Sequence, residues 1–287
     1  AYRQYGITCM ESGKYEDAVK AFQNALGESI GHIGEKELDI CFYKAKAQAL
    51  DGKTKDALAT YNAIIKYNKD ARAYYLRGDL YMDMGEEKKG RADFESAVQQ
   101  GKKNYEIYIG IYESLSRHEK KDEGQKYLSA AMEIKGDKPE DELYKGRISY
   151  LLGENKDAIS YLEKAKEHKQ MLASYYLGLA YDANGDSDKA KKCIAEYIKS
   201  GVATSYDLYE LGMQEMQDGN YKNALTYFNS GLELEKVPNK QNLMKSAIAA
   251  YEYSGDFDSA KKMMKEYLKA YPDDEEAKHE NTFLETR

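Results

Sequence analysis

The chain has 287 residues, 42% hydrophobic and 32% charged, with a net charge of −7, 28 Tyr, three Pro and no Trp. An acidic chain with dispersed basic residues repels phosphate backbones, which argues against nucleic acid as a partner. No run of 18 apolar residues occurs, so no stretch reads as a membrane-spanning helix.

Few prolines and abundant Ala, Lys, Glu and Leu favour helices. A turn motif with a leading Gly and a small residue five positions later then recurs along the chain. It reads Gly13 to Ala18, Gly52 to Ala57, Gly85 to Gly90, Glu119 to Gly124, Gly153 to Ala158, Gly185 to Ala190, Gly219 to Ala224 and Gly255 to Ala260. Successive small residues are 39, 33, 34, 34, 32, 34 and 36 positions apart. A period near 34 is that of stacked helix pairs. A glycine between two helices supplies a left-handed residue cheaply. Seven residues before most of these turns stands a second small residue: Gly6, Ala45, Gly78, Gly146, Gly178 and Gly212. Four residues after the motif comes a large one, such as Phe22, Tyr61, Phe94, Leu128, Leu162 or Phe228. Small facing large lets the two helices of a pair approach closely.

In chain order the pairs are expected over 1–36, 37–70, 71–103, 104–138, 139–170, 171–204, 205–238 and 239–272. A capping helix follows over 273–285, opened by Pro272 and an acidic first turn. The whole reads as one solenoid domain, 1–287. Extra residues between the first two pairs, including Gly27, Gly31 and Gly34, predict a longer connection there, either a plain loop or the lip of a binding groove.

Small residue, aromatic, turn glycine, alanine and aromatic in this order resemble the tetratricopeptide repeat family, of bacterial type, over nearly the whole length. The third copy carries Tyr74, Gly78, Tyr81, Gly85, Phe94 and Ala97, and the seventh Gly212, Gly219, Tyr221, Ala224 and Phe228. The family's first-helix Trp is absent throughout, and the fourth copy has Glu119 in place of its turn glycine. The resemblance implies an all-α, right-handed superhelical solenoid whose first helices line a concave groove. The side chains expected to face that groove are Phe42, Tyr75, Asp79, Met82, Glu113, Arg147, Tyr150, Tyr175, Asp182, Tyr206, Tyr209, Met213 and Met216. Tyr and Met on such a face suit adaptable recognition of peptide. Some family members clamp a chaperone's C-terminal carboxylate with Lys and Asn. Here the matching positions hold Arg3 and Ile7, Tyr43, and Arg72 and Leu76, so that role is not expected.

The function expected is therefore a protein-interaction scaffold or adaptor that binds a peptide or partner protein. A small-ligand or signalling-peptide sensor, and a non-catalytic part of a larger enzyme or envelope assembly, are the alternatives. No Gly-x-Ser-x-Gly, phosphate-binding loop or His-Glu-x-x-His is present, so no enzyme and no cofactor are expected. Cys9, Cys41 and Cys193, and His32, His118, His168 and His279, lack metal-ligand spacing, so no metal is expected. Ala1 already lies within a helical pattern, which points to a removed tag, signal peptide or lipid-anchored leader. Unpaired cysteines fit a cytoplasm, while a removed leader fits an exported or lipid-anchored bacterial protein.

Overall fold

The computed structural model describes residues 1–29, 33–136 and 138–287. Gly31 and His32 lie outside the described residues. All regular structure among the described residues is helical. The chain folds as two compact units, Ala1–Lys199 and Ser200–Arg287.

The first unit holds six helix pairs: α1 (Tyr2–Glu11) with α2 (Tyr15–Gly27), α3 (Glu35–Leu50) with α4 (Thr54–Asn68), and α5 (Ala71–Asp83) with α6 (Glu87–Gln100). They continue as α7 (Tyr105–Arg117) with α8 (Lys121–Met132), α9 (Pro139–Leu152) with α10 (Asn155–Glu167), and α11 (Leu172–Ala183) with α12 (Ser187–Lys199). The second unit holds α13 (Ser205–Gln217) with α14 (Tyr221–Leu232), α15 (Lys240–Tyr253) with α16 (Phe257–Ala270), and a final α17 (Glu275–Leu284).

Each pair is closed by one device. At the turn, the amide after the left-handed residue donates back to a carbonyl five positions earlier: Lys14 to Cys9, Lys120 to Leu115, Asn220 to Glu215 and Asp256 to Tyr251, all at 2.8–2.9 Å. This satisfies carbonyls that the ending helix leaves unpaired. Gly153 holds the left-handed position at φ +83°, and in the fourth pair Glu119 holds it at φ +61°. The turn survives without its glycine because its hydrogen bonds are intact, at the cost of a strained side-chain-bearing residue.

Within a pair, the small-against-large key sets the helix separation. A Cβ on Gly146 would lie 2.4 Å from Leu162, and one on Gly212 only 2.2 Å from Phe228. The large partners Phe22, Phe94, Leu128, Leu162 and Phe228 are completely buried. The fourth pair inverts the key: Tyr112 takes the first-helix position, and Gly124 on α8 makes the room, where an added Cβ would lie 3.0 Å from the Tyr112 ring. In the third pair a bidentate ion pair reinforces the packing. Arg77 Nε and Nη2 donate to Asp93 at 2.7 and 2.6 Å, and Asp93 is 6% exposed.

Between the first two pairs, the described residues Ser29, Ile33 and Gly34 are each held by a hydrogen bond to α3 or α4. Glu37 accepts from the Gly34 amide at 2.9 Å and from Ser29 at 3.0 Å, and the Tyr67 hydroxyl donates to the Ile33 carbonyl at 3.0 Å. At the other end, α17 closes the second unit. It buries Ala277 and Leu284 against α15 and α16 and turns Glu275, Glu276, Lys278, His279 and Glu280 outward, the polar outer face that a stack of helix pairs requires.

Candidate functional site

First helices of successive pairs lie side by side: α1 touches α3, α5 touches α7, α9 touches α11, and in the second unit α13 touches α15. In the first unit, charges and rings one repeat apart join these helices. Arg3 Nη2 donates to Asp39 at 2.6 Å, and its guanidinium lies 5.2 Å from the Tyr43 ring. Arg72 stacks 4.5 Å over Phe42. Arg117 donates to Asp79 at 2.6 Å, and His118 lies 3.1 Å from Asp83. Arg147 reaches Glu113 at 3.1 Å and Glu106 at 3.3 Å, with its guanidinium 5.5 Å from the Tyr176 ring. Tyr105 and Tyr144 stack at 5.0 Å.

These contacts change the character of the expected groove residues. Asp79, Glu113 and Arg147 pair across helices, so part of their charge is spent holding the repeats together. Arg147 is mostly enclosed. Burial opposes its charge, but Tyr176, Glu106 and Glu113 outweigh that, and its guanidinium stays firmly protonated. Tyr75 slots its ring end into a hollow left by Gly110, where an added Cβ would lie 2.6 Å from it. Burial first, then Asp79 and Glu113, push the Tyr75 hydroxyl far above its ordinary range. Burial, then Asp182, pushes Tyr150 up as well.

Three expected groove residues are core. Met82 is 2% exposed and fills the space beside Gly90, where its sulfur would lie 2.7 Å from an added Cβ. Phe42 is 6% exposed, and Tyr175 is 9% exposed, packed edge-on against Tyr176 and tilted against Tyr197. Helical spacing alone does not separate the outer flank of a first helix from the flanks packed on its own partner helix, as for Met82 and Tyr175, or on the next pair, as for Phe42. Asp182 is exposed and Tyr150 is half-buried.

In the second unit, Tyr206 on α13 is 56% exposed. Tyr209, Met213 and Met216 are half-buried against the core of α14 and α15. Tyr209 tilts against Phe228 at 6.2 Å, and the Ser246 hydroxyl lies 3.6 Å from the Met213 sulfur. They present one edge outward and support the fold with the other. Sequence reasoning missed Gly110, Arg117, Glu106 and Tyr176. The signal available was opposite charge about one repeat apart on first helices, as in Asp79 and Arg117, 38 positions apart.

Models of the tetratricopeptide repeat match residues 6–64, 42–105, 172–200 and 241–274, together more than half of the chain. The chain belongs to the tetratricopeptide repeat family. Tetratricopeptide repeats generally mediate protein–protein interaction, and the fold is typically a non-catalytic scaffold. Among solved structures, the chain is similar to a tetratricopeptide repeat protein from Parabacteroides merdae, at 12% identity and a TM-score of 0.51, over 87% of this chain and 97% of that one. It is also similar to PilW, a type IV pilus biogenesis factor, at 18% identity and a TM-score of 0.48, over 73% of this chain and 97% of that one. A third similar structure is the C-terminal part of a repeat protein from Cytophaga hutchinsonii, at 14% identity and a TM-score of 0.41, over 86% of this chain and 99% of that one. No curated protein matches. Among the described residues no helix is long and apolar enough to cross a membrane, and no cluster of three metal-ligating side chains forms.

Proposed function

We propose that this tetratricopeptide repeat protein is an adaptor that holds a peptide or partner protein on its first-helix faces. The carrying observation is the composition of those faces: in the first unit, half-buried tyrosines among ion pairs that fix adjacent helices, and in the second, exposed Tyr206 beside the half-buried edges of Tyr209, Met213 and Met216. Rigid supports with exposed aromatic edges bind at low entropic cost. In the first unit the contact residues are Tyr75, Asp79, Arg147, Tyr150 and Asp182. In the second they are Tyr206, Tyr209, Met213 and Met216.

Affinity capture from a lysate of the source organism tests this. Wild type is compared with Tyr150→Ala/Asp182→Ala in the first unit and, separately, Tyr206→Ala/Met216→Ala in the second. The reading expects a protein retained by wild type and lost with at least one variant whose helicity is unchanged. A protein retained equally by all three would remove these faces as the binding surface. Tyr209 and Met213 are poor choices for this experiment, because truncating them unpacks Phe228 and α15.

A further inference from the structure

Between α15 and α17 lies a cleft of about 420 Å³. Its floor is apolar, made by Ile248, Met264 and Ala277, all at most 5% exposed. Tyr253 stands at its edge, 67% exposed, with its ring stacked 5.4 Å from Tyr221. Three carboxylates line it: Glu252, Glu276 and Glu280. The Oε1 atom of Glu252 is shut off from solvent and has no hydrogen-bond partner among the described residues. Lys245 also lines the cleft, but its ammonium is committed to Asp274 at 2.8 Å and reaches Glu276 only at 3.7 Å. The cleft thus carries three negative charges against one positive charge that is already engaged. Glu252 is half-buried, and a carboxylate so placed without a donor is poorly compensated; an incoming cation offsets this through the charge of the whole carboxylate rather than by reaching the sealed oxygen.

We propose that this cleft takes the lysine or arginine side chain of a protein partner, its charged end at Glu252 and Glu280 and its stem on the Ile248 and Ala277 floor. The inference rests on the adaptor reading above and names the chemistry of one contact within it. Long cationic side chains lay methylenes on apolar surface while keeping the head among polar groups. Nucleic acid is repelled by the carboxylates.

The test uses the full chain and two capped pentapeptide probes, Gly-Leu-Lys-Leu-Gly and Gly-Leu-Gln-Leu-Gly, titrated by NMR with amide shifts followed. The lysine probe is expected to shift amides of residues 248–253 and 276–280 and to bind at least tenfold more tightly than the glutamine probe. E252Q/E280Q, which keeps shape and removes charge, is expected to erase that preference. Equal binding of the two probes, or no shift at the cleft, overturns the proposal. Shifts confined to α5 and α7 overturn the cleft while leaving the adaptor reading standing. Lysine selectivity at the cleft with no polypeptide captured from lysate upholds the cleft and sinks the adaptor reading.

Discussion

Removing the Asp274 carboxylate should loosen α17 from the second unit. Asp274 is the N-cap of that helix, and its Oδ1 accepts from the Ala277 amide at 3.0 Å. Its Oδ2 accepts from the Tyr267 hydroxyl at 2.5 Å and from Lys245 at 2.8 Å. The side chain is 13% exposed, so water replaces these partners poorly. An N-cap Asp is worth about 1 kcal/mol, and the two side-chain partners together add about 1 kcal/mol. Asp274→Ala should therefore cost α17 about 2 kcal/mol, a drop of roughly 30-fold in amide protection. Hydrogen exchange at residues 278–284 measures it. Asp274→Asn keeps a competent cap and loses the charge, so it should cost about half as much. The pH dependence has a definite sign. Lys245 first, then the Tyr267 hydroxyl and the Ala277 amide, hold the Asp274 carboxyl well below its ordinary 3.8. Its contribution is fully present above the unfolded value, drains away as pH falls below about 4, and is gone once pH has passed through the lowered native value. A protection loss under threefold in Asp274→Ala would refute the capping account.

Other consequences follow from the packing. Gly212→Ala forces a Cβ to within 2.2 Å of Phe228 and should destabilise the protein by about 2–3 kcal/mol in denaturant titration; a cost under about 0.5 kcal/mol would dispose of the small-against-large key. Glu119→Gly relieves a φ of +61° and should stabilise by about 0.5–1 kcal/mol, whereas an unchanged or lowered melting temperature would show that the turn carries no strain. Arg77→Ala leaves Asp93 buried and unpaired and should cost about 3 kcal/mol, and a variant that melts with wild type would mean the pair contributes nothing.

Sequence made the architecture legible because each landmark carries a steric meaning that repeats. Turn positions, most of the small and large partners, and the final helix stand where the spacing places them, the inverted key of the fourth pair being the exception, and Pro272 and the acids after it mark the start of α17. The faces were less legible. Tyr175 and Met82 have the residue type and the helical position of groove contacts, yet each packs against a neighbouring helix. That packing depends on how far each first helix is rotated about its axis against its partner helix, which residue type and helical spacing do not encode. Gly110 shows the reverse: it looks like a weak helix residue, but its missing Cβ admits Tyr75 from the preceding pair. Charge pairs across repeats, such as Arg147 with Glu106 and Glu113, become visible only once the helices are laid side by side.

Site-specific photo-crosslinking in the source cell bears most directly on the adaptor account. A benzophenone side chain is placed singly at Tyr150 and Tyr206 on first helices, and at Glu95 and Lys164 on exposed second-helix positions. The account predicts polypeptide adducts from at least one first-helix site and none from the second-helix sites. Adducts confined to Glu95 or Lys164 would contradict it.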